Sequence, residues 1–364
     1  MFIFSWLLVL STRSVLVLYI VRIIQGLALG MLFTGLPLYV AEIADAKIRG
    51  ALGYFFQGMW YVGNLYEYSI GPFVDYQTLA LLSMIPPIVF VVTFSWFPES
   101  PYLLAMRGRH EEAAASLSWF RGSEEGAETE LSGIGRRAAG EDSGEDSSRW
   151  DLVKTRAGIK SLLIVHMVGM TYTMSGGTAM FSYATETFSK TSDDHSGLSP
   201  DMVTILMGTL VLLFVPLSAS IVDRFGRRPI LLISSGGSFL CLGLASLYYQ
   251  LRSTLDLSGI SWAPYTLIVA YTVFIGSGVE SVFPVLQAEL FPDSTRGLAS
   301  GVCHFNITLM SFFCLKMYKV VADGLGLQYL YATFSFFALL GAILIYFFIP
   351  ETKGKTFTEI QGLL

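Results

Sequence analysis

The sequence predicts an all-α integral membrane protein built from two related helical bundles, the first of them incomplete. Three observations carry that expectation. The composition is apolar, with 53% hydrophobic and 14% charged residues; nine apolar runs approach the length a bilayer demands; and one pattern of charged landmarks occurs twice at nearly constant spacing. A soluble domain carries about 25% charged side chains, so a mean hydropathy of +0.58 over 364 residues belongs to a chain that faces lipid.

A helix needs about 20 residues to cross the hydrocarbon core. Runs near that length lie at 15–40, 51–73, 79–97, 159–186, 202–222, 229–250, 264–290, 298–321 and 327–349. A tenth, Phe2 to Leu10, has half the length and lacks the basic start and small-residue cleavage site of a signal peptide, so it reads as part of a span. The segment 98–160 separates three spans from six and holds 21 of the 51 charged side chains. Its middle repeats Gly-Glu-Asp-Ser at 140–143 and 144–147, a composition that buries no core and predicts disorder. Near its start Glu111 and Glu112 lead into Ala113, Ala114, Ala115 and Leu117, a helix-forming run at the surface. The expected organisation is an incomplete bundle over 1–97, a loop over 98–158, a six-helix bundle over 159–349 and a tail over 350–364.

Alternation at every span sorts the loops into two sets. The set containing 41–50, 98–160, 223–228, 291–297 and the tail carries 17 Lys and Arg against 5 in the other, which puts it in the cytoplasm. Within that set, Ala41-Glu42 precedes Arg49-Gly50 as Ala288-Glu289 precedes Arg296-Gly297, an offset of 247 residues. Pro98-Glu99-Ser100 and Pro350-Glu351-Thr352 repeat at an offset of 252. Two matched landmarks indicate duplicated halves, the organisation of carriers whose site lies between two bundles. A third landmark, Asp223-Arg224-Phe225-Gly226-Arg227-Arg228, has a first-half counterpart only before Met1, so the first half is expected to lack its front. The carboxylates of Glu42, Glu99, Glu289 and Glu351 stand near Arg49, Arg224, Arg227, Arg228 and Arg296, which predicts Arg–carboxylate pairs at the cytoplasmic mouth.

Polar side chains inside spans are the candidates for function. Gln57, Tyr61, Asn64 and Tyr68 recur on one helix face. Glu280 lies mid-span with Gln287 two turns away, and an ionisable group at that depth is functional by default. His166 and His304 are its candidate partners. Cys241, Cys303 and Cys314 sit in apolar runs and read as packing residues. A net charge of -5 offers no field for nucleic acid. No cofactor motif, metal-ligand spacing or catalytic constellation occurs. Gly354-Lys355-Thr356 lacks the first glycine of a phosphate loop, and Asn306-Ile307-Thr308 lies in a span where no glycosylation takes place.

Taken in order, Arg22 with Gly26 and Gly30, Glu42 with Arg49-Gly50, Pro98-Glu99-Ser100-Pro101, Asp223 to Arg228, Glu289 with Arg296-Gly297, and Pro350 to Thr356 resemble the sugar porter family of the major facilitator superfamily. Within it the chain is most similar to arthropod facilitative trehalose and glucose transporters. The resemblance implies a two-bundle fold around a central sugar site, entered here midway through the family's third helix. It assigns Gln57 to a family glutamine that contacts sugar, and it makes the cytoplasmic charges, Asp223 among them, a latch that closes when the site faces outward. Tyr172, Thr173 and Thr178 stand where the family has two glutamines and an asparagine, and Pro284 replaces a tryptophan that stacks on sugar. Gly276 replaces a glutamate, and Asn306 falls one residue before its expected place.

The sequence therefore predicts a plasma-membrane carrier that moves a hexose or trehalose-like sugar down its gradient by alternating access, with sugar and lipid as its partners and impaired flux in this truncated form. The alternative is a non-transporting sugar sensor or degenerate paralogue; a third reading, proton-coupled symport, rests on Glu280. Epitope tags placed at 98–160 and after Pro350 are expected to be labelled only in permeabilised cells, and labelling of either tag in intact cells would overturn the topology.

Overall fold

The computed structural model describes residues 1–44, 49–122, 155–191, 199–252, 254–355 and 357–363, and every regular element among them is helical. The chain divides into two compact units: Met1–Gln57 with Ser69–Asp146, and Gly58–Tyr68 with Ser147–Leu364. Six helical stretches among the described residues are long and apolar enough to cross a bilayer: Val15–Leu36, Tyr76–Phe94, Arg227–Leu251, Ala263–Leu290, Thr295–Gly324 and Leu327–Phe348. The acidic Gly-Glu-Asp-Ser repeat at 140–147 lies outside the described residues.

In the first unit, α1 (Phe2–Ser11) packs on α2 (Val15–Ile43) and α4 (Tyr76–Phe94) through the buried side chains of Val9, Val21 and Ala80. Helix α3 (Arg49–Ile70) contributes its first turns here and the stretch Gly58–Tyr68 to the second unit. Asp75 starts α4 by accepting the Gln77 N–H at 3.2 Å, which satisfies one donor left open by helix geometry. Ser100 does the same for α5 (Pro101–Met106), accepting Leu103 N–H at 3.2 Å, and Pro101 fills a position whose N–H would have no partner. The alanine run forms α6 (His110–Arg121), which packs Ala113 against Leu104 and Ala105 of α5.

The second unit holds the larger core. Its elements are α7 (Arg156–Met174), α8 (Gly177–Ser182), α9 (Ala184–Thr191), α10 (Pro200–Phe225), α11 (Arg227–Leu251), α12 (Ala263–Ile275), a π turn (Gly276–Glu280), α13 (Ser281–Leu290), α14 (Asp293–Gly324), α15 (Leu327–Phe348) and α16 (Phe357–Leu363). Val165, Val168, Leu242, Tyr271, Ile275, Val279, Leu286 and Phe334 interlock inside this unit. Leu244, Phe305, Val320 and Phe347 stay exposed on its outside, as suits a surface solvated by lipid. Cys241, Cys303 and Cys314 are buried thiols, in keeping with a packing role.

Two spans that read as continuous in the sequence are interrupted. The run 159–186 breaks at Ser175-Gly176, where Gly176 takes φ +92° and ends the hydrogen-bond ladder of α7. Only glycine adopts that conformation cheaply, and a Cβ there would meet the Phe334 ring at 2.5 Å. The run 264–290 carries the π turn, a one-residue insertion common at functional sites. Serine hydroxyls satisfy the backbone groups it displaces: Ser234 donates to Phe274 O at 2.6 Å and accepts Val279 N–H at 3.1 Å, while Ser281 donates to Gly276 O at 2.7 Å. Helix α14 extends beyond the run read from hydropathy, reaching 32 residues, or about 48 Å at 1.5 Å per residue.

At the start of α11 the Glu351 carboxylate accepts the backbone N–H groups of Arg227 at 3.0 Å and Arg228 at 3.1 Å. Gly226, with φ +96°, leaves room for it; a Cβ there would lie 2.6 Å from a Glu351 oxygen. Burial pushes the Glu351 carboxyl up, and the hydrogen bonds from Lys353, Arg227 and Arg228 outweigh that and hold it below the ordinary value of 4.5.

Two stability outcomes follow from these junctions. Gly176→Ala is expected to cost about 1–3 kcal/mol through backbone strain alone, read as a lower midpoint in thermal unfolding of the purified protein; an unchanged midpoint would show that the break tolerates a side chain. Glu351→Gln is expected to lower the midpoint at neutral pH. Because the folded carboxyl is held below 4.5, its stabilisation is complete above that pH and is lost as the pH falls through the depressed value. The gap between wild type and variant therefore closes in acid, and a gap that widens there contradicts the helix-cap role.

Candidate functional site

A cluster of tyrosines around Glu280 forms the polar centre of the second unit. The π turn places Glu280 at its last position, and the Tyr61 hydroxyl donates to Glu280 Oε2. The Tyr172 hydroxyl, from the last turn of α7, hydrogen-bonds the same carboxyl. Tyr61 is fully enclosed and its ring lies 6.0 Å from that of Phe181. Two turns on, Tyr68 donates to Phe181 O at 2.5 Å. Tyr271 donates to Ser175 O at 2.9 Å, and Cys314 Sγ–H to Thr173 O at 3.2 Å, so carbonyls freed by the break find donors from neighbouring helices. Gly276 lies beside the Tyr61 hydroxyl, and a Cβ there would stand at an ordinary contact distance of 3.6 Å from it.

This arrangement brings together Tyr61, Tyr172 and Glu280 of the sequence-derived candidates. Thr178 sits on α8 with its hydroxyl 3.3 Å from Ser311 Oγ. Thr173 is wholly buried, and its hydroxyl has no hydrogen-bond partner among the described residues. Asn64 lies half-exposed on the face of α3 that carries Tyr61 and Tyr68. Gln57, seven residues before Asn64, belongs to the first unit and is half-buried. Asn306 turns its amide onto Val302 O of its own helix at 3.1 Å. Gln287 is buried with Nε2 unmatched among the described residues, and His304 packs edge-on against Phe283 at 5.5 Å.

The duplicated charges have matching environments in the two units. In the first, Ser100 Oγ donates to Glu42 at 2.5 Å and Ser100 N–H to Glu99 at 3.1 Å. In the second, Thr352 Oγ1 donates to Glu289 at 2.6 Å, and Glu351 caps α11. The Ala-Glu carboxylate thus holds the hydroxyl that follows Pro-Glu, once in each half. Arg227 adds an ion pair to Glu289 at 2.8 Å. Arg228 donates to Tyr346 O at 2.6 Å and stacks over the Tyr346 ring. Arg296 donates to Ala288 O at 2.9 Å and Phe291 O at 3.1 Å. Arg224 lies 5.8 Å over the Phe225 ring, and its carbonyl accepts from Lys353. Arg228 and Arg296 thus also close helix carbonyls, which lack donors at helix ends. The side chains of Arg49 and Asp223 lie outside those described.

Sequence reasoning missed a second charged cluster at the opposite end of the second unit. Lys190 of α9 bridges Glu186 at 3.0 Å and Asp323 of α14 at 2.5 Å, and Lys319 reaches Glu186 at 2.6 Å. The i, i+4 spacings of Glu186 with Lys190 and Lys319 with Asp323 are its only trace in the sequence. No group of three or more metal-ligating side chains gathers among the described residues.

The profile of the sugar (and other) transporter family matches residues 1–364. The facilitated trehalose transporter Tret1 of Polypedilum vanderplanki is 30% identical over 363 residues, covering 99% of this chain and 71% of its own length. Tret1 of Drosophila mojavensis is 28% identical over 362 residues, and there the chain, 99% covered, spans only 42% of the relative. Among solved structures, the proton:xylose symporter XylE bound to 6-bromo-6-deoxy-D-glucose superposes with a TM-score of 0.70 at 25% identity, over 94% of this chain and 73% of XylE. The partially occluded inward-open xylose transporter XylE from E. coli gives 0.72 at 23% identity, over 93% of this chain and 72% of its own. Whole-length agreement with the family profile and with the helical fold of these transporters identifies the chain as a member of the sugar transporter family of the major facilitator superfamily.

Proposed function

We propose that the chain is a facilitative carrier for a hexose or trehalose-like sugar, exposing a central site alternately to the two sides of the plasma membrane. The observation that carries this reading is the match of the family profile to every residue from 1 to 364. The polar groups around Glu280 support it chemically. Sugars are held by hydroxyl hydrogen bonds and aromatic faces, and Tyr61, Tyr172 and Phe181 supply both within a mostly apolar unit. Gln57 and Asn64 would extend the polar face along α3, and Thr173, Thr178 and Asn306 would complete the set from α7, α8 and α14. The cytoplasmic carboxylate and arginine network would favour one conformation over the other, since ion pairs acting together can bias a two-state equilibrium where a single exposed pair adds about 0–1 kcal/mol.

Proton coupling is a second reading, favoured by a carboxyl at mid-span on Glu280. Under it, sugar flux rises when the outside is acidified; under the facilitative reading a pH gradient drives no accumulation.

Purified protein reconstituted into vesicles tests both the site and the carrier. Saturable sugar binding is expected, with flux that is impaired yet above that of protein-free vesicles. Gln57→Ala is expected to weaken sugar affinity roughly 2- to 13-fold, the loss of one buried hydrogen bond of about 0.5–1.5 kcal/mol, and Asn64→Ala to weaken it less. Wild-type affinity in Gln57→Ala, at matched folded protein, removes Gln57 from the site. Binding without flux favours a sensor.

A further inference from the structure

Resting on the reading of α4 as a membrane span, we infer that the last turn of α6 is seated in the lipid headgroup boundary, with Trp119 as its anchor. The observation is a line of aromatic rings in the first unit that starts inside the span and ends outside it. Phe90 stacks on Phe94 at 5.1 Å, Phe94 on Phe97 at 6.0 Å, and Trp119 of α6 stands edge-on to Phe97 at 5.4 Å. All four side chains are exposed, Trp119 at 56%, and Trp96, next to Phe97 in the chain, reaches 81%. Exposed apolar surface that runs on without a break marks an interaction site. Its first members, Phe90 and Phe94, lie in the apolar stretch Tyr76–Phe94, where the solvent is lipid. The occupant at that end is therefore the bilayer, and indole rings collect where the bilayer gives way to water.

Hydrogen bonds hold α6 at that level. Ser116 Oγ donates to Glu99 O at 2.6 Å, just past α4, and Arg121 donates at 2.8 Å to the carbonyl of Ile43, the last residue of α2. On the inner face Ala113, Ser116 and Leu117 are buried, and Ala113 packs on Leu104 and Ala105 of α5. That fixes the rotation of α6 and leaves Trp119 on an exposed flank, with Ala115 one turn before it. The charged groups gather at the other end of the helix. Arg109 pairs with Glu112 at 2.5 Å, and Glu111, also exposed, lies about 12 Å from Trp119 along the axis. A helix with an ionic start in water and an aromatic end on lipid is an interfacial element. Its seating also bears on the duplicated motif. The two carbonyls that α6 binds belong to Ile43 and Glu99, the chain neighbours of Glu42 and Ser100, so a leaflet that holds Trp119 also holds the Ser100–Glu42 hydrogen bond in place.

Nitroxide labels on single introduced cysteines in the reconstituted protein test the inference. They are read by collision with oxygen, which concentrates in lipid, and with a nickel chelate, which stays in water. The native thiols are buried, and wild type treated with the same reagent is the blank. Labels go on Trp119→Cys, on Glu111→Cys and, as a reference inside the span, on Phe90→Cys. The Trp119 site is expected to favour oxygen and to meet the chelate severalfold less often than the Glu111 site, at a depth between Glu111 and Phe90. Equal chelate collision at the Trp119 and Glu111 sites overturns the inference. Shielding of the Trp119 site from both oxygen and chelate overturns it too, since protein then covers the ring. A Phe90 label found in water removes the span, and the inference with it; a Phe90 label in lipid with a Trp119 label in water removes the inference alone. Where Trp119→Cys does not fold, Ala115→Cys, one turn earlier on the same flank, gives the same reading with the indole intact.

Discussion

Backbone hydrogen bonding inside a hydrocarbon layer governs the arrangement of this protein. Water is absent there, so every peptide N–H and C=O must find an internal partner, and an uninterrupted helix is the simplest solution. Each departure from a straight helix in the second unit is matched by side chains that repair it. At Ser175-Gly176 the open carbonyls meet Tyr271 and Cys314; at the π turn Ser234 and Ser281 close the ladder, and Ser218 in turn donates to Ser281 at 3.1 Å. These repairs fix where the polar centre lies. Tyr172 stands in the last turn of α7 just before the first break and Glu280 ends the second, so the polar centre lies where the two interruptions approach each other.

The same requirement explains the ends of the helices. Four carbonyls at each C-terminus and four N–H groups at each N-terminus lack helical partners. Arg228 and Arg296 are spent on carbonyls, and Glu351 on N–H groups. A motif that looks in sequence like an array of ion pairs also supplies helix caps, alongside the ion pair of Arg227 and Glu289. Such caps tie the start of α11 to the tail, because moving one relative to the other means breaking Glu351 away from two N–H donors at once.

What the sequence discloses depends on the range of the interaction. Span positions follow from hydropathy, a property of about 20 consecutive residues, and α2, α4, α11 and α15 appear where it puts them. The duplication was visible in Glu42 and Glu289, yet the hydroxyl partners Ser100 and Thr352 were not, although they recur at the same offset as the motifs. Their role needs a contact between segments 58 and 63 residues apart. The break within 159–186 left a local trace in Ser175-Gly176-Gly177, but glycines are common in membrane helices, and only the Phe334 ring and the positive φ distinguish this one. For the Glu280 cluster the spacing of Tyr61 within α3 was legible; its pairing with Glu280 spans 219 residues and has no one-dimensional signal.

The two charged ends of the second unit differ in kind. At the end where α11 begins, the Glu351 carboxylate binds backbone N–H groups and Glu289 the Thr352 hydroxyl of the tail, contacts with short, directed geometry. At the opposite end, Lys190, Lys319, Glu186 and Asp323 meet through long side chains, with Lys319 and Asp323 half-exposed and 3.9 Å apart. Exposed pairs of that type add little individually and are screened by salt. Helix α9 follows α7 across the break at Gly176, yet more than these charges holds it: Phe188 is fully buried and stacks on Tyr265 with ring centroids 6.1 Å apart, the Thr187 hydroxyl meets Tyr318 at 2.6 Å, and Thr191 accepts from Tyr249 at 2.8 Å. The exchangeable charges therefore overlie a buried contact face, and it is that face, continuous with the core of the second unit, that fixes α9 beyond the break.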